Sequence, residues 1–101
     1  MTQRKVKTST IQSSGNVFAD LGFAPDEAEH LKLRAQLMSA VRQVIEQRKL
    51  TQAQAAKLLG VTQPRISDLV RGKIDLFSMD TLVSMLAQAG VHVGLTIDAA
   101  A

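Results

Sequence analysis

The sequence predicts a mainly α-helical chain of five helices followed by a C-terminal β-strand. Apolar residues recur at three- and four-residue spacing along most of the chain, which is the period of an amphipathic helix. After Gly90 the period shortens to two residues, which is typical of a half-buried strand. Aromatic content is only 3%, so the core must be aliphatic, and this composition favours helices over a β-sandwich.

The overall composition limits the class of protein. A chain of 101 residues is expected to form one domain with tails. It has no cysteine, which excludes disulfides, thiol nucleophiles and cysteine zinc sites and fits a reducing cytosol. No apolar run approaches the roughly 18 residues that a membrane span needs. The basic N-terminus lacks the apolar stretch of a secretory signal. We therefore expect a cytoplasmic protein.

The first third of the chain predicts an arm and two helices. Residues 1–16 are polar and aperiodic, which is typical of a flexible arm. The stretch NVFADLGFAP predicts a single helical turn, and Pro25 suits the first turn of the long helix that follows. The apolar stripe of that helix consists of Leu33, Leu37, Val41, Val44 and Ile45.

Two short capped helices follow. Thr51 with Gln54 three residues later forms a capping-box pattern, which predicts a helix over Gln52–Leu59. Gly60 supplies the left-handed residue that ends it. Thr62 then caps a helix that runs to about Arg71.

The fifth predicted helix begins after Ser78, and with it the helical domain extends over residues 17–90. Its predicted inward-facing residues are Leu82, Met85 and Leu86. Gly90 marks its end.

The segment 91–98 is predicted to be a strand that pairs outside its own chain. A lone strand cannot satisfy its backbone hydrogen bonds, and no second strand is evident in the sequence. The same strand of a second copy, antiparallel about a twofold axis, would make a homodimer. The alternatives are a frayed tail or pairing with residues 6–12. The dimerisation residues would be Val91, Val93, Leu95 and Ile97.

The spacing of residues 52–71 predicts a helix-turn-helix. Counting from Gln52, a small residue (Ala56) is fifth, a glycine ninth, and the aliphatic residues Ile66 and Leu69 are fifteenth and eighteenth. Two helices that cross steeply need a small side chain at closest approach, a turn with positive φ and an anchored inner face. The sequence therefore meets each of these requirements.

The outer face of the second helix of the motif carries side chains that suit DNA. Glutamine can bind adenine in the major groove, arginine can bind guanine, aspartate can accept from cytosine, and an apolar side chain can contact a thymine methyl group. The predicted base contacts are Gln63, Pro64, Arg65, Ser67 and Asp68. The predicted phosphate contacts are Gln52, Lys57, Thr62, Arg71 and Lys73, with Gln52 also bracing Gln63.

The charge distribution supports this interpretation. Residues 31–73 carry nine Lys or Arg against two acids, whereas residues 15–30 carry four acids and no Lys or Arg. Basic charge concentrated on one segment is the pattern of a surface that binds a polyanion. The alternative is that these are the solvated faces of an ordinary helical bundle, since caps and glycines also occur in helical hairpins.

The stretch LTQAQAAKLLGVTQPRISDLVRG resembles the repressor-type (Xre, Cro/CI-like) helix-turn-helix, in which a glutamine opens each of the two helices. Together with SSGNVFADLGF, FSMDTLVSML and GVHVGLTI, it is similar to small HigA-like antitoxins and related regulators. The likeness covers roughly residues 12–97. It implies a nucleoid-associated autorepressor that binds its own operator as a dimer and neutralises a toxin of the HigB or RelE type.

Two other functions remain open, and several kinds of site are excluded. The chain could be a stand-alone phage-like or host regulator without a toxin, or a protein-interaction module. His30 and His92 lack metal-ligand spacing, and the glycines lack a phosphate-cradling motif, so no metal or cofactor is expected. No arrangement for nucleophilic or acid–base catalysis is present, which argues against an enzyme.

Overall fold

A computed structural model of the chain describes residues 16–99. The chain divides between Leu33 and Arg34 into two compact units. The helices of the described part are α1 (Val17–Asp20), α2 (Pro25–Gln47), α3 (Gln52–Leu59), α4 (Gln63–Val70) and α5 (Met79–Gln88), with a 3₁₀ turn over Ile74–Leu76. The five predicted helices are confirmed, whereas the 3₁₀ turn was not predicted. The predicted arm over residues 1–16 lies almost wholly outside the described residues.

The first unit contains α1 and the beginning of α2, which Asn16 links. The Asn16 side-chain oxygen accepts hydrogen bonds from the backbone N–H groups of Phe18 and Ala19, at 3.0 and 3.3 Å, and so caps α1. Its amide nitrogen donates to the Ala28 carbonyl oxygen at 3.0 Å. Phe18 and Phe23 pack edge to face, with ring centroids 6.1 Å apart. These contacts hold the single helical turn against the first turns of α2.

The second unit is built around one aliphatic core. The rest of α2 contributes Met38, Val41 and Val44, and α3 packs against both α4 and α5. Leu37 and Ile45 pack against this core from its edge, so four of the five residues of the predicted stripe of α2 face inward; Leu33, the fifth, belongs to the first unit. The remaining core residues are Ala55, Ala56, Leu59, Ile66, Leu69, Phe77, Leu82, Met85, Leu86 and Ala89.

The turn between α3 and α4 follows the predicted capping pattern. Thr51 Oγ1 accepts from the Gln54 N–H at 3.1 Å, and Gln54 Oε1 accepts from the Thr51 N–H at 2.9 Å. Gly60 has a φ of 73°, and the next N–H, of Val61, donates to the Ala56 carbonyl at 3.0 Å. This left-handed residue reverses the chain after α3, so that α4 can start only a few residues later.

Two arginines, Arg34 of α2 and Arg48 just after it, reach carbonyl groups elsewhere in the second unit. Arg48, just past the helix end, donates from Nη2 to the Ala89 carbonyl oxygen at 2.9 Å. Arg34 donates from Nη1 to the Ile74 carbonyl oxygen at 3.4 Å. Both acceptors lie where a helical segment begins or ends. The Ala89 carbonyl follows the last turn of α5, where carbonyls lack an intrahelical partner, whereas the Ile74 carbonyl also accepts from the Phe77 N–H at 3.3 Å.

The strand predicted over residues 91–98 is not formed in the single chain. Residues 91–99 have no regular secondary structure, and residues 16–90 contain no strand beside which they could lie. Without a ladder partner an extended segment gains no backbone hydrogen bonds, so it stays irregular. Only Val91 is anchored: its N–H donates to the Leu86 carbonyl at 2.9 Å, and its side chain packs on the core.

The alternative pairing with residues 6–12 concerns a part of the chain outside the described residues. Among residues 16–99, no helix is both long enough and apolar enough to cross a membrane.

We expect Gly60→Ala to lower the free energy of unfolding by about 1–2 kcal/mol, because alanine is strained at positive φ. A Cβ at this position would also lie 3.4 Å from the Gln88 side chain. Urea denaturation followed by circular dichroism measures the change.

Gly94→Ala is the matched control. Gly94 has an ordinary φ and open space around its Cα, so the same substitution there should change stability by less than about 0.5 kcal/mol. Equal stabilities of the two variants would contradict the requirement for glycine at the turn.

Candidate nucleic-acid interface

The candidate interface is the outer face of α4, which is fixed by its buried inner face. Ile66 and Leu69 are both 0% exposed and lock the helix into the core of the second unit. Because α4 has only eight residues, burying this face leaves the rest of the helix turned outward. Gln63 and Pro64 are exposed at its start, and Ser67 and Asp68 are half-buried along its side.

The first turn of α4 is organised by its cap. Thr62 lies in extended backbone, and its hydroxyl oxygen accepts from the Arg65 N–H at 3.4 Å. Pro64 in the first turn costs no hydrogen bond, because the first amides of a helix have no internal acceptor. The helix therefore begins with two exposed side chains, Gln63 and Pro64, at the positive end of its dipole.

Asp68 and Lys73, which were predicted to contact a base and a phosphate, lie beside each other. Lys73 Nζ is 3.6 Å from Asp68 Oδ1, and the Lys73 N–H donates to the Asp68 carbonyl at 3.1 Å. The side chains are 49% and 26% exposed, so solvent screens the ion pair and its contribution to stability is small. The lysine also lowers the repulsion between the carboxylate and any polyanion that approaches this face.

Arg65 differs from the other predicted base contacts in its surroundings. Its Nη2 donates to the Leu76 carbonyl oxygen at 2.9 Å, and its Cζ lies 4.5 Å from the centroid of the Phe77 ring. The guanidinium is thus held against the protein by a hydrogen bond and a cation–π contact. No sequence pattern indicated this arrangement, because Leu76 and Phe77 belong to the unpredicted 3₁₀ turn and the residue after it.

The remaining predicted phosphate contacts are exposed. Two belong to α3 and two flank α4 in the sequence; they are Gln52, Lys57, Thr62 and Arg71. Within residues 16–99 no hydrogen bond joins Gln52 to Gln63, so the predicted bracing of one glutamine by the other is not seen in the free chain. Both side chains are left available to a ligand.

Comparison with known proteins places the chain in a family. The model of a family described as "Helix-turn-helix domain" matches residues 17–98. A solved structure described provisionally as an XRE family transcriptional regulator is 32% identical in sequence and superposes with a TM-score of 0.68. That match covers 73% of this chain and 83% of the other.

None of the curated proteins matches the sequence. The family match over residues 17–98 spans both helices of the motif, α3 and α4. The chain therefore belongs to the helix-turn-helix family, and within it to the XRE type.

Proposed function

We propose that the protein is a sequence-specific DNA-binding transcriptional repressor that acts as a homodimer. The observation that carries the proposal is α4, whose apolar face is locked in the core while Gln63, Pro64, Ser67 and Asp68 remain on its outer side. An α-helix fits the major groove of B-DNA, where each base pair presents a distinct pattern of donors and acceptors. The similar solved structure is itself described as a transcriptional regulator.

The proposed base contacts follow from side-chain chemistry. Gln63 pairs in a bidentate manner with adenine, Asp68 accepts from the amino group of cytosine, and Pro64 contacts a thymine methyl group. Ser67 can donate or accept at either kind of base pair. Because Gln63 and Pro64 lie in the first turn of α4, they enter the groove first, as in other helix-turn-helix proteins.

The proposed phosphate contacts are grouped around the same helix. Lys57 lies in the last turn of α3, Arg71 caps the C-terminus of α4, and Lys73 comes two residues after Arg71. Gln52 and Thr62 stand at the exposed N-terminal ends of α3 and α4, where a phosphate is favoured by the helix dipole. Each cation that neutralises a phosphate releases counterions and makes the affinity fall as salt rises.

A mobility-shift assay at a low and a high salt concentration tests the proposal most directly. The probe is DNA from immediately upstream of the coding sequence, with a scrambled duplex of equal length as competitor. We expect the upstream duplex to shift, and the scrambled duplex not to displace it from the complex. The affinity should fall steeply as the salt concentration rises. No shift of either duplex, even at the low salt concentration, would instead favour a protein-interaction module.

The roles of Gln63 and Lys57 predict two distinguishable losses. Gln63→Ala should cost about 1–3 kcal/mol of binding free energy and relax the base preference at one position of each half-site. Lys57→Ala should weaken binding to all duplexes alike and reduce the slope of log K against log salt by about one. Titrations on single-base variants of the bound duplex at several salt concentrations measure both.

Lys57→Ala is thus the control for Gln63→Ala. Both side chains are exposed, so neither substitution should change the melting temperature appreciably. A Gln63→Ala variant that kept the preference at every base position would contradict the assignment of Gln63 as a base contact.

The proposed dimer contact is the segment 91–98. After the anchored Val91, the alternate residues Val93, Leu95 and Ile97 are 42%, 79% and 85% exposed. Three large apolar side chains at period two suit a strand that pairs with a second copy and buries one face. A twofold axis would then present two α4 helices to half-sites about 34 Å apart on a pseudo-palindrome.

The dimer proposal predicts that Leu95→Asp combined with Ile97→Asp yields a monomer, because the paired face would then carry opposed carboxylates. Sedimentation velocity measures the mass of each species. DNA affinity should fall with the loss of simultaneous contact to two half-sites. Leu21→Asp is the control: Leu21 is 70% exposed in the first unit, and the change should leave the dimer intact. A wild-type protein that is monomeric at high concentration would contradict the proposal.

We further propose that this repressor is the antitoxin of a toxin–antitoxin pair. The resemblance of residues 12–97 to small HigA-like antitoxins supports it. So does the segment 16–33, in which four acids (Asp20, Asp26, Glu27 and Glu29) outnumber Lys32 and in which Val17, Leu21 and Phe23 are exposed. Acidic and apolar side chains together suit a basic protein partner such as a toxin of the HigB or RelE type, which acts on RNA.

Co-expression with the adjacent open reading frame tests this role. We expect the neighbouring product to co-purify with the full chain and to be released by Leu21→Asp combined with Phe23→Asp, which would place charge in the apolar part of the contact. Leu95→Asp with Ile97→Asp should retain the partner. If no neighbouring product co-purifies and DNA binding is intact, the protein is a stand-alone regulator.

A further inference from the structure

Arg65 is a predicted base contact whose guanidinium is already bound to the backbone and to an aromatic ring of the protein. Its Nη2 donates to the Leu76 carbonyl oxygen at 2.9 Å, and its Cζ lies 4.5 Å from the centre of the Phe77 ring. Phe77 is itself 1% exposed and belongs to the core, so the ring is a fixed surface. A planar guanidinium that stacks on a ring while donating in its own plane uses both features that distinguish arginine from lysine.

These contacts join two segments of the proposed DNA interface. Arg65 belongs to α4, which carries the proposed base contacts, whereas Leu76 and Phe77 end the loop that begins with Lys73. Within this loop the 3₁₀ turn has few hydrogen bonds of its own: the Leu76 N–H donates to Lys73 and the Phe77 N–H to Ile74, at 3.1 and 3.3 Å. Such a short turn depends on contacts from neighbouring elements for its position.

Reading a guanine would require Arg65 to leave this position. Its guanidinium would lose the hydrogen bond to Leu76 and the contact with Phe77, and the Leu76 carbonyl would lose its charged donor. Gln63 and Pro64 would lose nothing of this kind, because they are exposed at the start of the same helix. The free energy of a guanine contact would thus be offset by the contacts given up.

We propose that Arg65 is a positioning residue: it holds the loop that carries Lys73 against α4, and it does not read a base. This inference rests on the proposed DNA-binding function and assigns roles within it. Sequence preference then comes from Gln63, Pro64, Ser67 and Asp68. Lys73 is bonded to Asp68 of α4 through its own N–H and ion pair, while Arg65 secures the far end of the same loop, at Leu76 and Phe77. Arg65 and Lys73 thereby have different roles although both are cations beside α4.

Selection of duplexes from a random library by the full chain tests the proposal, with Arg65→Ala compared with the wild type and with Gln63→Ala. We expect Arg65→Ala to bind the selected duplex roughly tenfold more weakly, since the contacts that hold the far end of the loop against α4 are lost. Its base preferences should keep the wild-type pattern at every position. Gln63→Ala should lose the preference at one position per half-site.

A guanine preference lost at a single position in Arg65→Ala, with the others kept, would overturn the proposal. Phe77→Leu should reproduce the Arg65→Ala pattern, because it removes the ring but keeps an apolar side chain in the core. Failure of the wild type to enrich any sequence would instead overturn the proposed function, and the DNA role of Arg65 with it.

Nuclear magnetic resonance of the wild type gives a second measurement that does not depend on how the variants fold. The Arg65 side-chain signals should be displaced by the Phe77 ring in the free protein and stay displaced when the selected duplex is bound. Loss of that displacement on binding, with a new contact to a guanine proton, would show that Arg65 leaves the ring to read a base.

Discussion

The proposed interface depends on the anchoring of α4 by Ile66 and Leu69. The helix has only eight residues, and an isolated helix of that length is not stable in water, so its conformation is maintained by tertiary packing. Two fully buried aliphatic residues three positions apart fix its rotation about its own axis. That rotation determines the side of α4 from which Gln63, Ser67 and Asp68 project. The orientation of the proposed DNA-reading surface is therefore specified by two residues that are themselves fully buried.

The close approach of α3 to α4 makes this anchoring possible. Ala55 and Ala56 are buried in α3, and side chains of this size let the two helices pack closely. Gly60 makes the reversal between them, because its φ of 73° is unfavourable for residues with a Cβ. Lys49 also adopts positive φ, at 54°, at the end of α2. A non-glycine residue tolerates this conformation there because packing on both sides of the connection maintains it.

The sequence predicted those parts of the structure that depend on local chemistry. Caps at Thr51, Thr62 and Ser78 gave the starts of three helices, because a side-chain oxygen beside unpaired amides is a local signal. The contact between Arg65 and Phe77 was not predictable in this way, because it depends on a cross-chain distance that no spacing rule encodes. The same holds for Arg34 and Arg48. Charge patterning counted all three as available cations, whereas the fold uses them to satisfy backbone carbonyls.

The bond from Arg48 to the Ala89 carbonyl has a consequence for how two copies would be spaced. It fastens the end of α5 to the end of α2 only two residues before Val91, which is itself bonded to Leu86. The chain is thus fastened to the folded body as far as Val91, where the tail begins. If two tails pair, the folded body of each copy sets the distance between the two α4 helices. Only operators whose half-sites lie at that distance would then bind both helices at the same time.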